Sequence, residues 1–235
     1  MQERARIRKL RCFVDFRPDA FVKVGGSLAK DRGSFRKLAL VLAQAAERAR
    51  IIAFPGGGPT DKVIEEFNAG EALKPGVHHQ ACARAQDQTG LLFSNFSERI
   101  VPVEEFASMA AALEEGKLPV LLPSRLLFAL EPVEKTWEIT SDTIGAYFAW
   151  LVEAPQYVIL KSIDGIPKPG RDGGVYSEIS ASELEQRAGD EVDAILPGFL
   201  KAAGMRAVIL NGRDTDRVAA FFRGETVPAT RILPE

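Results

Sequence analysis

The sequence predicts an α/β fold in which a mainly parallel sheet lies between two layers of helices. Short apolar runs typical of buried strands alternate with segments of helical periodicity along most of the 235 residues. Two of these runs end in glycine clusters before a helical segment, at the strand ends where parallel sheets bind ligands. Apolar residues make up 46% of the chain, enough for a full core in one large domain or in two lobes that share a sheet.

Composition excludes several classes of partner. The net charge of −2 gives no global field that would favour nucleic acid, and no apolar run reaches the roughly 18 residues of a membrane span. The two cysteines are Cys12 and Cys82, and their separation matches no metal or redox spacing. We therefore expect a reduced, cytoplasmic protein without a membrane or nucleic-acid partner.

Residues 1–18 form a basic stretch that we expect to be an extension of the folded domain at 19–235. The stretch lacks the apolar segment of a signal peptide. Its charge comes from Arg4, Arg6, Arg8, Lys9 and Arg11. A surface extension is the simpler interpretation, and a basic contact for a partner or an acidic ligand is the alternative.

The N-terminal half alternates strands and helices in a regular order. Phe21–Val24 is an apolar run typical of a buried strand, and the segment that follows has apolar residues at helical spacing. Residues 71–79, which include two histidines, are predicted to form a loop. The predicted strands are 21–24, 51–54 and 118–122, and the predicted helices are 34–50, 60–67, 80–94 and 104–115.

The C-terminal half repeats this pattern. A helix at 143–152 follows Thr140-Ser141-Asp142, residues that often cap helices. An apolar strand at 157–163 ends in an Asp-Gly turn and a loop rich in glycine and proline. Ser180 and Glu183 have the spacing of a capping box and predict a short helix. The remaining predictions are a helical segment at 191–203 that is broken or restarts at Pro197-Gly198, a strand at 207–210, a helix at 215–222 and a final edge strand at 226–232.

The first candidate site is Lys23 together with Gly25, Gly26 and Ser27. A strand that breaks at two glycines before a helix exposes backbone N–H groups to which an anion can bind. Lys23 lies inside an apolar strand, where an unpaired charge is unfavourable. A tight turn with a solvated lysine is the alternative, but the position of Lys23 favours contact with a phosphate group.

The second candidate site is Gly56-Gly57-Gly58, at the end of the next strand. Three consecutive glycines lose much conformational entropy on folding, whereas an ordinary turn needs one. They allow the backbone to approach an anion at a helix N-terminus, and that anion is either a phosphate or a carboxylate. No glycine directly precedes Lys62, so the loop does not match a Walker A motif.

Charged residues near two other strand ends add to the candidate set. Asp142 alone is explained as a helix cap, but beside two phosphate loops it gains a role in orienting lysines and the transferring group. Lys161, Asp164 and Gly165 end an apolar strand. A salt-bridged turn is one interpretation of these three residues, and their position favours the other, a nucleotide pocket.

Other titratable residues are weaker candidates. Lys168 and Arg171 follow the Asp-Gly turn and are further candidates for phosphate contacts. Lys201 lies on a late helix and is more simply a surface lysine. His78 and His79 have no cysteine or carboxylate at ligand spacing, so we expect no metal bound directly by protein side chains. A position near the acceptor site is the better interpretation of the histidines.

Taken together, these motifs resemble the amino acid kinase family, which includes carbamate, acetylglutamate, aspartate and uridylate kinases. The resemblance covers residues 21–232, and the order of the motifs is more specific than any one of them. The matching motifs are Lys-Val-Gly-Gly-Ser at 23–27, Pro-Gly-Gly-Gly at 55–58, Thr-Ser-Asp at 140–142, Lys-Ser-Ile-Asp-Gly-Ile at 161–166 and Asn-Gly at 211–212.

The resemblance implies a three-layer α/β/α sandwich with an open, mainly parallel eight-stranded sheet. It also implies an acceptor-binding lobe at 19–153, a lobe at 154–235 that binds ATP with Mg²⁺, and assembly into a dimer or hexamer. Each group of candidate residues takes a role from the family. The catalytic residues are Lys23 and Asp142, the phosphate and ATP contacts are Lys23, Gly25, Gly26, Ser27, Lys161, Asp164, Gly165, Ile166 and Lys168, and the acceptor contacts are Gly56, Gly57, Gly58, Thr140 and Ser141.

Two stretches narrow the choice within the family. Residues 137–144 and 85–90 look similar to the branch that phosphorylates [5-(aminomethyl)furan-3-yl]methyl phosphate to its diphosphate in methanofuran-type cofactor biosynthesis. The same stretches resemble molybdenum storage proteins, which bind ATP and hold metal oxide clusters. A uridylate or acetylglutamate-type kinase and a non-catalytic nucleotide-binding protein are therefore the alternatives. The segment 196–201 departs from the Gly-Gly-Met setting of the second catalytic lysine of acetylglutamate kinases.

Overall fold

The computed structural model describes residues 16–170, 174–187 and 189–235. Within these residues the chain forms one eight-stranded sheet with helices on both faces. The strands are β1 (Ala20–Val24), β2 (Ile51–Pro55), β3 (Ile100–Val103), β4 (Leu118–Leu121), β5 (Tyr157–Lys161), β6 (Glu178–Ser180), β7 (Ala207–Asn211) and β8 (Thr230–Leu233). The helices are α1 (Arg32–Ala45), α2 (Gly58–Gly70), α3 (Pro75–Ser94), α4 (Phe106–Glu114), α5 (Ser124–Leu130), α6 (Ser141–Leu151), α7 (Ala181–Gln186), α8 (Leu196–Ala203) and α9 (Thr215–Phe222).

The strands are arranged in the order β3-β4-β2-β1-β5-β7-β8-β6. Neighbouring strands are parallel except β7 and β8, which are antiparallel. This arrangement confirms the predicted α/β fold with a mainly parallel sheet. β1 pairs with β2 on one side and with β5 on the other, so the two halves of the chain share the sheet. The carboxyl ends of these three central strands therefore lie at the same edge.

Side chains of β1 alternate between two cores. Phe21 belongs to the core that includes residues of α5, α6 and α8, and Lys23 points to the same side. Val22 and Val24 belong to the other core, which includes residues of α1 and α9. Lys23 is only 5% exposed, so its ammonium group must find a polar partner inside the protein.

Two predictions about the strands need correction. The sequence pattern does not predict β3 or β6, and β6 has 3 residues, too few for an alternation to show. The last strand, β8, is not the edge strand that we expect, because it lies between β7 and β6. We expect the last strand of the chain to be the last strand of the sheet. Instead, β8 pairs with β7 on one side, antiparallel, and with β6 on the other, so β6 lies at the edge.

The predicted loop at 71–79 is wrong for the two histidines. The helix α3 begins at Pro75, and both His78 and His79 are buried in its first two turns. Proline suits the first turn of a helix because its missing N–H would have no intrahelical partner there. Pro75 therefore starts this helix, and the histidines occupy helical positions that face the core.

The helix α8 corrects a second prediction in the same way. The pattern predicts a helical segment at 191–203 that is broken or restarts at Pro197-Gly198. The restart is confirmed, because α8 begins at Leu196 and contains Pro197 and Gly198 in its first turn, but the predicted helix before it is wrong. The residues before it form turns rather than helix. A further difference follows the first glycine pair, where a short 3₁₀ helix at Gly26–Lys30 precedes α1.

Several predictions fall on residues outside the described part of the chain. They concern the basic side chains between residues 4 and 11, Cys12 and Arg171. The division into an acceptor lobe and an ATP lobe stays a prediction. Across the described ranges, none of the helices combines the length and the apolar character that crossing a membrane requires.

Candidate active site

Two lysines and one carboxylate meet at the carboxyl ends of the central strands. Lys23 lies on β1, Lys161 is the last residue of β5, and Asp142 lies in the first turn of α6. The Lys23 ammonium donates to Asp142 Oδ1 at 2.6 Å, and the Lys161 ammonium donates to Asp142 Oδ2 at 2.7 Å. We call these three residues the Lys-Asp-Lys cluster. It unites both predicted catalytic residues with a predicted ATP contact.

The strand register explains why both lysines reach the same carboxylate. Lys23 pairs with Ile159 across the β1–β5 ladder, and Ile159 belongs to the same core as Phe21. Lys161 lies two residues beyond Ile159, so it points to the same side of the sheet. The Tyr157 hydroxyl donates to the backbone carbonyl of Asp142 at 2.7 Å, which ties the start of α6 to β5.

Burial and mutual charge set the electrostatics of the Lys-Asp-Lys cluster. Burial acts to raise the pKa of Asp142, which is only 3% exposed, but the charges of Lys23 and Lys161 outweigh it and hold this pKa below its ordinary value. Burial and the neighbouring charge of Lys23 lower the pKa of Lys161, against the opposing effect of Asp142. The cluster has one more basic than acidic group, which suits stabilisation of a transferring phosphoryl group.

A second carboxylate, that of Asp193, holds the start of α6, the helix that carries Asp142. The sequence analysis missed this residue. Asp193 Oδ2 accepts hydrogen bonds from the backbone N–H groups of Thr140 and Thr143, each at 2.9 Å. Asp193 Oδ1 accepts from the backbone N–H of Leu196 at 2.9 Å. One side chain therefore caps the starts of both α6 and α8. An aspartate shortly before a Leu-Pro helix start is the sequence signal, which the predicted helix at 191–203 obscured.

Two residues predicted as acceptor contacts lie in the turn before α6 and at its first position. The Thr140 hydroxyl donates to Asp193 at 2.9 Å and accepts from the backbone N–H of Asp142 at 3.3 Å, so Thr140 is the N-cap of α6. Ser141 Oγ lies 3.3 Å from the position that a Cβ would take on Gly56. The start of α6 therefore borders the triple-glycine loop.

The two glycine motifs lie directly against each other. A Cβ on Gly26 would lie 2.5 Å from the backbone nitrogen of Gly58, and a Cβ on Gly56 would lie 2.6 Å from the backbone nitrogen of Gly26. Real Cβ atoms do not approach backbone this closely, so both positions require glycine. Gly25 donates its N–H to the Leu160 carbonyl at 2.8 Å and continues the sheet. The structure thus brings both predicted anion loops to one place.

The predicted nucleotide turn forms its own set of contacts at the end of β5. Asp164 accepts hydrogen bonds from the Asn211 amide at 3.0 Å and from the Arg217 guanidinium at 2.6 Å. The bond from Asn211 and the bond from Arg217 lower the pKa of Asp164. Sequence analysis did not single out Arg217, which approaches from α9 and gives no local signal of this contact.

The residues after Asp164 are fixed by β8 and by an aromatic ring. The Ile166 N–H donates to the Thr230 hydroxyl at 2.9 Å, and a Cβ on Gly165 would lie 2.4 Å from the same oxygen. Lys168 lies over the ring of Tyr176, with its Nζ 5.7 Å from the ring centroid. A side chain at position 165 would collide with β8, so the turn depends on its glycine.

The remaining candidates separate into surface and core positions. Lys201 is exposed on α8 and pairs with Glu185 at 3.2 Å, in agreement with its interpretation as a surface lysine. His78 is buried and stacks on Trp137, with 4.3 Å between ring centroids and 15° between planes. Burial lowers the pKa of His79. Among the described residues, no group of three His, Cys, Asp or Glu side chains is arranged to hold a metal ion.

A pocket of about 380 Å³ opens beside the Lys-Asp-Lys cluster. Asp142 is a buried member of the lining, Lys161 is half-buried, and the exposed members include Trp137, Glu138 and Asp190. A small molecule in this pocket therefore touches the cluster at one end and solvent-facing side chains at the other. The volume is in the range of small-molecule sites.

Comparisons with known proteins agree with this geometry. The sequence model of the amino acid kinase family matches residues 20–211. The chain belongs to the amino acid kinase family. It is 27% identical to the [5-(aminomethyl)furan-3-yl]methyl phosphate kinase of Methanocaldococcus jannaschii over 212 residues, which cover 90% of this chain and 96% of that protein. It is also 27% identical to the uridylate kinase of Methanothermobacter thermautotrophicus over 236 residues, which cover 91% of this chain and 98% of that protein.

Solved structures show the same fold. The crystal structure of uridylate kinase from Archaeoglobus fulgidus matches 91% of this chain and 99% of its own, with a TM-score of 0.69 at 16% identity. That of UMP kinase from Ureaplasma parvum matches 92% of this chain and 99% of its own, with a TM-score of 0.69 at 13% identity. Family membership makes this protein a kinase and implies ATP as the phosphoryl donor and a small molecule as the acceptor.

Proposed function

We propose that this amino acid kinase family member phosphorylates [5-(aminomethyl)furan-3-yl]methyl phosphate to the corresponding diphosphate. The contact of Lys23 and Lys161 with the two oxygens of Asp142 is the observation that carries the transfer step. The acceptor follows from the similarity to a kinase of that name over 90% of this chain. A phosphate acceptor also suits the triple-glycine loop before α2, because backbone N–H groups at a helix start bind anions.

In the proposed reaction, an oxygen of the acceptor phosphate attacks the γ-phosphorus of ATP. The bond between that phosphorus and the β,γ-bridging oxygen breaks, and ADP leaves. The attacking phosphate oxygen is already anionic, so no general base is needed. Lys23 neutralises charge on the moving phosphoryl group, Asp142 fixes the direction of both ammonium groups, and Lys161 adds charge on the ATP side.

The glycine loops supply the remaining contacts of this proposal. Gly26 is the first residue of the 3₁₀ helix, so its N–H has no intrahelical acceptor and suits a phosphoryl oxygen. Gly56–Gly58 lie beside it and are proposed to hold the phosphate of the acceptor. The contacts proposed from the family are, for the acceptor, Thr140 and Ser141 and, for the nucleotide, Gly25, Ser27, Asp164, Gly165, Ile166 and Lys168.

Mg²⁺ is proposed to enter the site with ATP. In this proposal the ion would be held mainly by phosphate oxygens of ATP, as is usual for Mg²⁺ at phosphate-transfer sites. Asp142 already binds two lysines through both of its oxygens. When bound, the ion neutralises charge on the phosphates of ATP, and the lysines act from the protein side.

Uridylate is the second candidate acceptor, because uridylate kinases also match the chain in sequence and in structure. A non-catalytic nucleotide-binding storage or regulatory protein is the candidate from a different class. ADP release with Mg-ATP should be measured with the aminomethylfuran phosphate, UMP, N-acetylglutamate and carbamate. We expect turnover with the furan phosphate. Turnover with UMP alone would replace the acceptor, and tight ATP binding without any turnover would support the storage or regulatory function.

We also propose that the kinase is a cytoplasmic homo-oligomer, either a dimer or a hexamer. This part of the proposal rests on the family. Light scattering coupled to size-exclusion chromatography measures the mass of the assembly against the 25.6 kDa of one chain. A monomer at micromolar concentration contradicts this part and leaves the reaction untouched.

A further inference from the structure

The pocket beside the Lys-Asp-Lys cluster has one flat aromatic wall. Trp137 lines this pocket and is 41% exposed, so its ring is available to a ligand. The imidazole of His78 covers one face of the indole at 4.3 Å and is nearly parallel to it. His78 itself is only 4% exposed and belongs to α3. The indole is therefore held against a rigid helix while part of its surface stays open.

The charge of the pocket changes from one end to the other. Lys161 and its buried partners form the basic end. Glu138 and Asp190 are exposed, and within the described residues neither carboxylate has an ion-pair partner. The other two carboxylates of the lining, those of Asp142 and Asp193, are fully used by the lysines and by the capped helices. Free negative charge is thus confined to the outer end, beside Trp137.

We propose that Trp137 is the stacking platform for the furan ring of the acceptor and that Glu138 and Asp190 bind its ammonium group. The inference rests on the proposed function, and it adds the residues that select the acceptor. An aminomethylfuran phosphate carries an anion at one end, a flat ring in the middle and a cation at the other end. The pocket presents the Lys161 ammonium, an indole and free carboxylates to these three parts. Uridylate lacks the cation and leaves both carboxylates unpaired.

The first test separates stacking from catalysis. Trp137→Ala is expected to raise the KM for the furan phosphate about 10-fold and to leave kcat nearly unchanged, because the indole touches the ring and not the transferring group. Trp137→Phe keeps an aromatic surface and is expected to recover most of the affinity. The matched control is Trp150→Phe on α6, which changes the other tryptophan of the chain and leaves KM unaltered. An unchanged KM in Trp137→Ala overturns the stacking role.

The second test separates charge recognition from general damage. Glu138→Gln is expected to raise the KM for the furan phosphate several-fold. With (5-methylfuran-3-yl)methyl phosphate, in which a methyl replaces the aminomethyl group, the same variant and the wild type are expected to have equal KM values. Asp190→Asn is expected to behave in the same way. Equal losses with both acceptors overturn the role of these carboxylates in binding the ammonium group.

Tryptophan fluorescence gives a readout that does not depend on turnover. Titration with the furan phosphate is expected to change the emission of the wild type and of Trp150→Phe but not that of Trp137→Phe. One outcome separates this inference from the proposed function. If the wild type phosphorylates the furan phosphate and Trp137→Ala and Glu138→Gln have the same kcat and KM as the wild type, this inference is overturned and the proposed function stands. A wild type that neither binds nor phosphorylates the furan phosphate removes both.

Discussion

The Lys-Asp-Lys cluster and the helices α2 and α3 differ in how their buried polar atoms are paired. In the Lys-Asp-Lys cluster each charged group has a partner at 2.6 or 2.7 Å. Between α2 and α3, by contrast, three buried atoms of the described residues lack a hydrogen-bond partner: Asp61 Oδ1, His78 Nδ1 and Gln86 Oε1. Buried polar groups are normally satisfied, so unpaired ones call for an explanation. The buried charges of the Lys-Asp-Lys cluster are therefore paired within the protein, and these three atoms of α2 and α3 are not.

The largest expected effect comes from removing a member of the Lys-Asp-Lys cluster. Lys23→Ala is expected to lower kcat on the order of 10²-fold or more, because it removes the charge that we propose meets the transferring phosphoryl group. Steady-state ADP release measures the loss, and circular dichroism checks the fold. Lys201→Ala removes an exposed lysine from α8 and is the matched control, with activity unchanged. Near wild-type turnover in Lys23→Ala contradicts the assignment.

The pairing of the cluster also predicts a loss of stability. Asp142→Asn leaves the buried ammonium of Lys23 and the half-buried ammonium of Lys161 without their carboxylate and is expected to lower the free energy of unfolding by about 3 kcal/mol. Urea denaturation at pH 7 measures this difference. Glu185→Gln breaks the exposed pair with Lys201 and is expected to cost less than about 0.5 kcal/mol. Equal effects of the two substitutions contradict the special role of the buried cluster.

The sign of the pH dependence follows from the same pairing. The pKa of Asp142 is lowered in the folded protein, so the stability that its ionised form contributes is present above the ordinary carboxyl pKa. It is lost as pH falls through the folded-state pKa. The stability difference between the wild type and Asp142→Asn should therefore shrink in acid, which denaturation at several pH values below 4 measures.

Contact between the two glycine loops predicts a smaller effect on activity. Gly26→Ala puts a Cβ 2.5 Å from the Gly58 nitrogen and pushes the loops apart, so kcat/KM is expected to fall about 10-fold or more. Gly76→Ala is the matched control, since nothing lies within 4 Å of an added Cβ at that position of α3. A similar kcat/KM in both variants shows that the loops tolerate separation.

The last test concerns Asp61 on α2, which has one buried carboxylate oxygen without a hydrogen-bond partner. Burial raises the pKa of Asp61 to about 6, and the Cys82 thiol opposes this shift by donating a hydrogen bond. The folded state then binds a proton that the unfolded state has released, so stability falls as pH rises from about 4 to about 6. The expected change is about 2 kcal/mol and should disappear in Asp61→Asn, as measured by urea denaturation at both ends of this range. The same slope in wild type and variant contradicts a raised pKa of Asp61 in the folded protein.

Sequence reasoning found the groups whose signal is local. A lysine in an apolar strand and a run of three glycines depart from what folding alone needs, so Lys23 and Gly56–Gly58 were predictable. Asp193 and Arg217 were not, because their contacts depend on helices that meet only in the folded chain. His78 was assigned to a loop because the start of α3 at Pro75 was not recognised.

The register of β1 against β5 has a consequence for the evolution of this kinase. Backbone hydrogen bonds between two central strands set the distance between Lys23 and Lys161, whereas the outer wall of the pocket belongs to connecting segments before α6 and α8. Substitutions and insertions in those segments leave the strand ladder intact. Under the proposed assignment, a lineage can therefore exchange one acceptor for another by remodelling these segments, while the lysines on the central strands are inherited unchanged.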